Sequence, residues 1–168
     1  MGEINDLTDS AAVSKLKELA SAADICMFTT SLKKLPLSAR PMSTVQVDEQ
    51  GDIWFISKRS SEKNREIAED GMVQLFYASK GSAEYLSVYG DATIVIDKEK
   101  AKEVWTPIAK AWLTDGIDDP ELSLIKVTPV DCHYWDTKHN KLISLLKIAT
   151  AVITGKTMDD GVEGKITI

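Results

Sequence analysis

Cysteine, histidine and long apolar runs are all scarce in this chain of 168 residues, and each scarcity narrows what it can do. Cys26 and Cys132 each lie inside an apolar, strand-like run, so they build no disulfide framework and are expected as two buried free thiols. The only histidines, His133 and His139, enter no Cys or His pair with metal-ligand spacing. No Gly-x-Ser-x-Gly elbow and no Walker-type glycine loop occurs. No stretch reaches the ~18 apolar residues of a spanning helix. The Met1 region lacks the basic start and apolar run of a secretory signal, so a cytoplasmic, reducing location is expected. Positive charge is not in excess either. Twenty Lys and Arg against 26 Asp and Glu give a net charge of −6, which disfavours non-specific binding to nucleic acid or to an anionic membrane. With no metal set and no activated nucleophile, redox chemistry would have to come from a bound cofactor.

What the chain does have is concentrated between Arg40 and Ile67. Residues 42–47 (Met-Ser-Thr-Val-Gln-Val) alternate like a half-buried strand with Arg40 at its entry. A polar turn with Gly51 leads to a second strand over 53–57. Ser60 or Ser61 then caps a helix running to about Glu69. A hairpin that opens into a helix N-terminus aims unpaired N–H groups and partial positive charge at one spot. Arg40, Lys58, Arg59 and Lys63 can all lie near it, so the segment reads as an anion site. The plainer alternative is that these cations are solvated and the serine is only a cap.

The remainder reads as one domain over residues 1–155 followed by a polar tail over 156–168 with a β-like end. Asp9 or Ser10 begins a first helix with Val13, Leu16, Leu19, Ala20 and Ala23 on its apolar face. Strands are expected over 24–30, 72–78, 84–96 and 122–135, the third interrupted at Gly90 by a bulge or a close backbone approach. A helix is expected over 98–113, which would turn Trp105 and Trp112, seven apart, to one side. Trp54 reads as a core residue, Trp105 as part of a core stripe and Trp135 as packing at a barrel or subunit seam. Leu142, Leu145, Leu146, Ala149 and Ile153 make a helical stripe for packing on the body or on a partner. Closely spaced strands with few crossover helices indicate a mainly β fold, an antiparallel barrel with peripheral helices.

The ordered series Arg40, Phe55-Ile56-Ser57, Ser61-Glu62-Lys63, Tyr85 to Gly90, Trp105, Trp112, Asp118-Asp119-Pro120, Val127-Thr128-Pro129 and Tyr134-Trp135-Asp136 resembles the pyridoxamine 5′-phosphate oxidase-like flavoproteins, and within them the general stress protein branch. The resemblance covers roughly Leu16 to Asp136. It implies an FMN-binding split β-barrel and a homodimer with flavin sites at the interface. Arg40 and Lys63 would hold the FMN phosphate with the hydroxyls of Ser57 and Ser61. Pro41, Met42 and Ser43 would run along the isoalloxazine edge, and Ile56 would contact the ring or ribityl chain through its backbone. Trp112 would line the pocket, and Tyr85 and Ser87 would be contributed by the second subunit. Glu62 departs from relatives that carry a cation there, with Lys58 or Arg59 as replacements.

Three readings follow from the resemblance. One is a flavin-dependent oxidoreductase taking hydride from a reduced nicotinamide for an unidentified acceptor. The second is a non-catalytic FMN store or redox sensor, and the weakest is a relative that has lost flavin. Vitamin B6 oxidation is disfavoured, because residues 136–141 (Asp-Thr-Lys-His-Asn-Lys) lack the Arg-x-His arrangement that grips its substrate.

Overall fold

The computed structural model describes residues 3–79, 81, 83–137 and 161–168; the apolar stripe from Leu142 to Ile153 lies outside them. Two short strands, β1 (Glu3–Ile4) and β2 (Leu7–Thr8), precede helix α1 (Asp9–Ala23). Then come β3 (Ile25–Thr30), β4 (Ser38–Ser43), β5 (Gln46–Val47), β6 (Ile53–Lys58) and helix α2 (Glu62–Glu69). Strands β7 (Met72–Ser79) and β8 (Glu84–Val95) lead into helix α3 (Lys98–Val104). Two 3₁₀ turns, Pro107–Ala111 and Gly116–Asp118, precede β9 (Leu122–Thr137) and β10 (Gly161–Thr167).

All ten strands join one sheet, with the path β10-β9-β8-β7-β3-β4 and with β6 and β5 branching from β9. The branch exists because β9 is long. Its first half pairs with β6 and its second half with β10, while β8 runs along the other edge of both. The sheet curls around a core in which Leu16, Phe28, Phe55, Leu75, Val88, Ile125 and Tyr134 are almost completely buried. Phe28 and Phe55 meet edge to face at 5.1 Å, an arrangement that suits the ring quadrupoles. Helix α1 closes the barrel with Ala12, Leu16, Leu19 and Ala20, as its 3.6-residue apolar period requires. Truncating Leu16 to Ala would cost about 2–5 kcal/mol.

Three features differ from the sequence reading, each for an identifiable reason. The strand expected over 42–47 is two pieces, and Arg40 sits mid-strand opposite Phe28 rather than at an entry. The break falls where Thr44 donates its N–H to the Asp24 carbonyl and Val45 donates to that of Trp54, as the chain changes partners from β3 to β6. The helix over 98–113 ends at Val104, because Pro107 removes an N–H and forces Thr106 into extended backbone (φ −120°, ψ 140°). Trp105 and Trp112 therefore share no helix. The β-like end expected of the polar tail is present: Gly161–Thr167 is a strand, parallel to β1 and β2 and antiparallel to β9, with Ile166 buried.

Gly90 behaves as expected. The β8–β9 register shifts between Tyr89 and Gly90, and a Cβ at Gly90 would lie 2.7 Å from the Thr128 carbonyl oxygen. Both cysteines are buried free thiols, and burial pushes each up to about 12.

Candidate functional site

No strand ladder joins β4 to β6 among the described residues, and the gap between them is a half-open cavity of about 300 Å³. Its walls carry Arg40, Pro41, Met42 and Ser43 from β4, and Ile56, Ser57 and Lys58 from β6. Ser61 and Lys63 close one end, and Trp112 lies on the side of the first 3₁₀ turn. Ten of the residues singled out from the sequence thus meet around a single cavity, and Arg59, Tyr85 and Ser87 do not.

The two ends differ in chemistry. At the polar end Ser61 is the N-cap of α2, its hydroxyl accepting the Asn64 N–H at 3.4 Å. The Glu62 and Lys63 amides belong to the first helical turn, where no intrahelical acceptor exists. Asn64, buried inside the turn, sets the hydroxyls. Its Oδ1 accepts the Ser57 hydroxyl at 2.7 Å and the Ser61 hydroxyl at 3.1 Å, and its Nδ2 donates to Ser123 Oγ at 2.9 Å. Ser57 Oγ and Ser61 Oγ lie 3.2 Å apart.

Arg40 reaches the same end from β4. It donates from Nη1 to Thr30 Oγ1 at 2.5 Å, and from Nη2 to Ser38 Oγ at 2.6 Å and Glu66 Oε2 at 2.8 Å. Three of its five N–H donors are so used. Lys63 has no carboxylate partner among the described residues. Burial and then the Arg40 charge lower its pKa, so the free site holds two cations that repel each other. Burial alone would raise the Glu66 carboxyl, but hydrogen bonds from Thr30, Ser38 and Arg40 and the Arg40 charge hold it low. The other end is apolar, walled by Pro41, Met42, Val45, Ile56, Ile108 and Leu113. Trp112 is 59% exposed and stands there over open space.

Two expectations about charge are settled by position. Glu62 is exposed, faces Arg65 at 3.9 Å and is not among the residues that line the cavity. Arg59 does not supply a replacement cation. Its Nε donates to the Leu122 carbonyl at 3.0 Å, and it lines a separate cavity of about 190 Å³ against α3 and the second 3₁₀ turn. Lys58 is exposed at the rim of the main cavity.

Thr30, Ser38, Glu66, Asn64 and Ser123 were not singled out from the sequence. Helical spacing carried a signal for two of them, since Asn64 lies three residues after Ser61 and Glu66 three after Lys63, on shared faces of α2. Thr30, Ser38 and Ser123 arrive only through strand pairing. Trp105 packs with Trp54, Val104 and Leu113 in a second apolar cluster, beneath the segment that carries Trp112. Trp54 itself is buried and donates Nε1 to Asp48 Oδ2 at 2.8 Å. Tyr85 and Ser87 lie on the outer face of β8, outside the cavity. No helix among the described residues is long and apolar enough to cross a membrane.

Comparison with known proteins agrees with this architecture. Over 163 residues the chain is 27% identical to protein bli-3 of Neurospora crassa, covering 92% of this chain and 74% of that protein. A crystal structure of a protein provisionally named general stress protein 26, from Jannaschia sp. CCS1, superposes with a TM-score of 0.79 at 25% identity, over 95% of this chain and 99% of that one. The general stress FMN/FAD binding protein of the phytopathogen Xanthomonas citri gives a TM-score of 0.64 at 23% identity, over 77% and 90% of the two chains. The strand gap is the split of a split β-barrel, the fold these neighbours share. A family model for pyridoxamine 5′-phosphate oxidase-like proteins matches residues 11–159, and the chain belongs to that family.

Proposed function

We propose that the cavity between β4 and β6 binds FMN, with the phosphate at the Ser57–Ser61–Lys63 end and the isoalloxazine along Pro41–Ser43. The observation that carries this reading is Lys63, a half-buried amine with no carboxylate partner among the described residues, beside a second cation and at a spot lined by hydroxyls and first-turn amides. A phosphomonoester supplies what Lys63 lacks there, an anionic partner, and brings several acceptor oxygens. The residues fit the group. Arg40 and Lys63 would neutralise the phosphate, the Ser57 and Ser61 hydroxyls would turn from Asn64 Oδ1 to donate to it, and the apolar wall would exclude water from the ring. Bound there, FMN would supply hydride and one-electron transfer, chemistry that no side chain in the cavity offers.

On this reading the protein is a flavin-dependent oxidoreductase with a reduced nicotinamide as electron donor. A second reading has a specific observation in its favour. The titratable cavity residues are Arg40, Lys58 and Lys63, and the apolar end carries no acid or base. A flavin store or redox sensor needs only binding and satisfies that wall equally well. The site is further proposed to be completed by a second copy of the chain. Pro41 and Ser43 point to the outer face of the sheet, where Met27, Phe76, Tyr85 and Trp135 are also exposed.

The test is the visible spectrum of the purified protein before and after incubation with excess FMN and desalting. Retained, perturbed flavin bands are expected, and a colourless protein after reconstitution overturns the proposal. Steady turnover of reduced nicotinamide by the holoprotein then selects the enzyme, and its absence selects the store or sensor.

A further inference from the structure

One carboxylate is built into the cationic end, where simple electrostatics would place none. Glu66 Oε2 accepts from Arg40 Nη2 at 2.8 Å and from the Thr30 hydroxyl at 2.5 Å, while Thr30 Oγ1 accepts from Arg40 Nη1 at 2.5 Å. The three side chains close a ring that grips both ends of the guanidinium, and Ser38 adds a fourth contact. Arg40 and Glu66 side chains are only 23% and 15% exposed, so water competes little for these bonds. Glu66 itself is not on the cavity wall and caps no helix.

We propose that Glu66 is a positioning residue: through the Thr30–Arg40 ring it fixes the Arg40 guanidinium so that its remaining donors are pre-aimed at the phosphate. This rests on reading the cavity as an FMN phosphate site. The alternative account of the same carboxylate has the opposite sign. A negative charge beside an anion site weakens anion binding, so if Glu66 only opposed the phosphate, deleting it would tighten FMN. If Glu66 positions Arg40, deleting it lets a long, rotamer-rich side chain disorder, and that freedom must be lost again on every binding event.

The experiment measures dissociation constants of FMN and riboflavin, which differ only in the phosphate, for wild type, Glu66→Ala, Glu66→Gln and Thr30→Ala. Glu66→Ala is expected to weaken FMN about tenfold, the scale of one lost hydrogen bond to a charged group, with riboflavin held within about twofold. Glutamine keeps an acceptor oxygen, so Glu66→Gln is expected to restore FMN affinity to within about threefold of wild type. Thr30→Ala, which cuts the ring at another point, is expected to act in the same direction and covers the case in which Glu66→Ala does not fold. Unchanged or tighter FMN binding in Glu66→Ala overturns the proposal. So does a parallel loss of riboflavin, or a Glu66→Gln variant as weak as the alanine.

Nitrogen-15 NMR of the Arg40 side chain in the ligand-free protein separates this inference from the flavin reading. Distinct, slowly rotating Nη signals in wild type that average in Glu66→Ala support the clamp whether or not flavin binds. Averaged signals in wild type overturn it. A wild type that binds neither flavin sinks the FMN proposal, and the Arg40 signals alone then decide this one.

Discussion

Lys63 lies close enough to Arg40 for the guanidinium, after burial, to depress its pKa, yet no carboxylate among the described residues pairs with the amine. Protein interiors seldom keep two like charges together without a use for the repulsion, because each disfavours the charged form of the other. An incoming phosphate relieves both at once. Lys63→Ala is therefore expected to weaken FMN by about ten- to a hundredfold, the equivalent of losing one desolvated, charge-assisted contact of roughly 1.5–3 kcal/mol. The melting temperature of the ligand-free variant should hold or rise, since the empty site keeps the charged amine at a cost. Equal FMN affinity in wild type and variant, measured by fluorescence titration, would remove Lys63 from the phosphate site.

The same relationship sets a pH dependence with a defined sign. Burial first and Arg40 second put the folded-state pKa of Lys63 below the ordinary 10.5. Between that lowered value and 10.5 the ligand-free folded protein binds fewer protons than the unfolded chain, so its stability rises with pH through this window. Below the window the cost of holding the charged amine is fully present. Bound phosphate favours the ammonium and raises the pKa, so FMN affinity should be full at neutral pH and fall as pH climbs through the free protein's Lys63 value. The ratio of FMN to riboflavin affinity isolates this effect, because titration of the shared ring system cancels. Lys63→Arg, which stays charged, should flatten the ratio; a profile as steep as wild type would assign the dependence to another group.

The polar end of the cavity was legible in the sequence because most of its residues come from one continuous stretch, 40–63, whose elements announce themselves locally. Ser61 before an acidic helical turn and a Gly51 turn are local signals that survive, whereas the alternating strand after Arg40 is cut where the chain changes partners at Thr44 and Val45. What the chain does with those elements was less legible. The Glu66–Arg40–Thr30 ring depends on β3 pairing with β4, which places Thr29 against Ala39 and Thr30 against Ser38, and that register is a property of the whole sheet. Pro107 did carry its own warning, since proline inside a helical pattern ends it, but the apolar period of Ala101, Val104, Trp105 and Ile108 argued for continuity. At the C-terminus, residues 161–167 read only as the β-like end of a polar tail, because they hold few apolar side chains. Backbone pairing to β9, β1 and β2 makes that end a strand.

That strand offers a test of its own. Gly164 faces the backbone between β1 and β2, and a Cβ there would lie 2.2 Å from the Asn5 carbonyl oxygen. The obstacle is main chain and cannot rotate aside. Gly164→Ala is expected to cost about 1–3 kcal/mol, the range for overpacking, with a lowered denaturation midpoint and an unchanged m-value. A variant as stable as wild type would mean that the N-terminal strands do not sit on β10.

The outer face of the sheet leads to the last prediction. Registers place Met27 opposite Phe76, Phe76 opposite Ser87, and Tyr85 opposite Trp135, so the exposed apolar side chains form one band across β3, β7, β8 and β9. Pro41, opposite Met27, continues the band to the cavity mouth. A contiguous exposed apolar surface of this kind marks an interaction site, and a second copy of the same band is self-complementary about a two-fold axis. Light scattering should therefore give a dimer for wild type at micromolar concentration and a monomer for Phe76→Lys, which places a charge in the middle of the band. If the flavin site draws on both copies, cofactor and dimer are linked by mass action. The monomeric variant should then bind FMN more weakly although Phe76 lies outside the cavity, and FMN should shift the wild-type equilibrium toward dimer. A monomeric wild type would refute the band as an interface. A Phe76→Lys monomer with undiminished FMN affinity would leave the interface standing and confine the site to one chain.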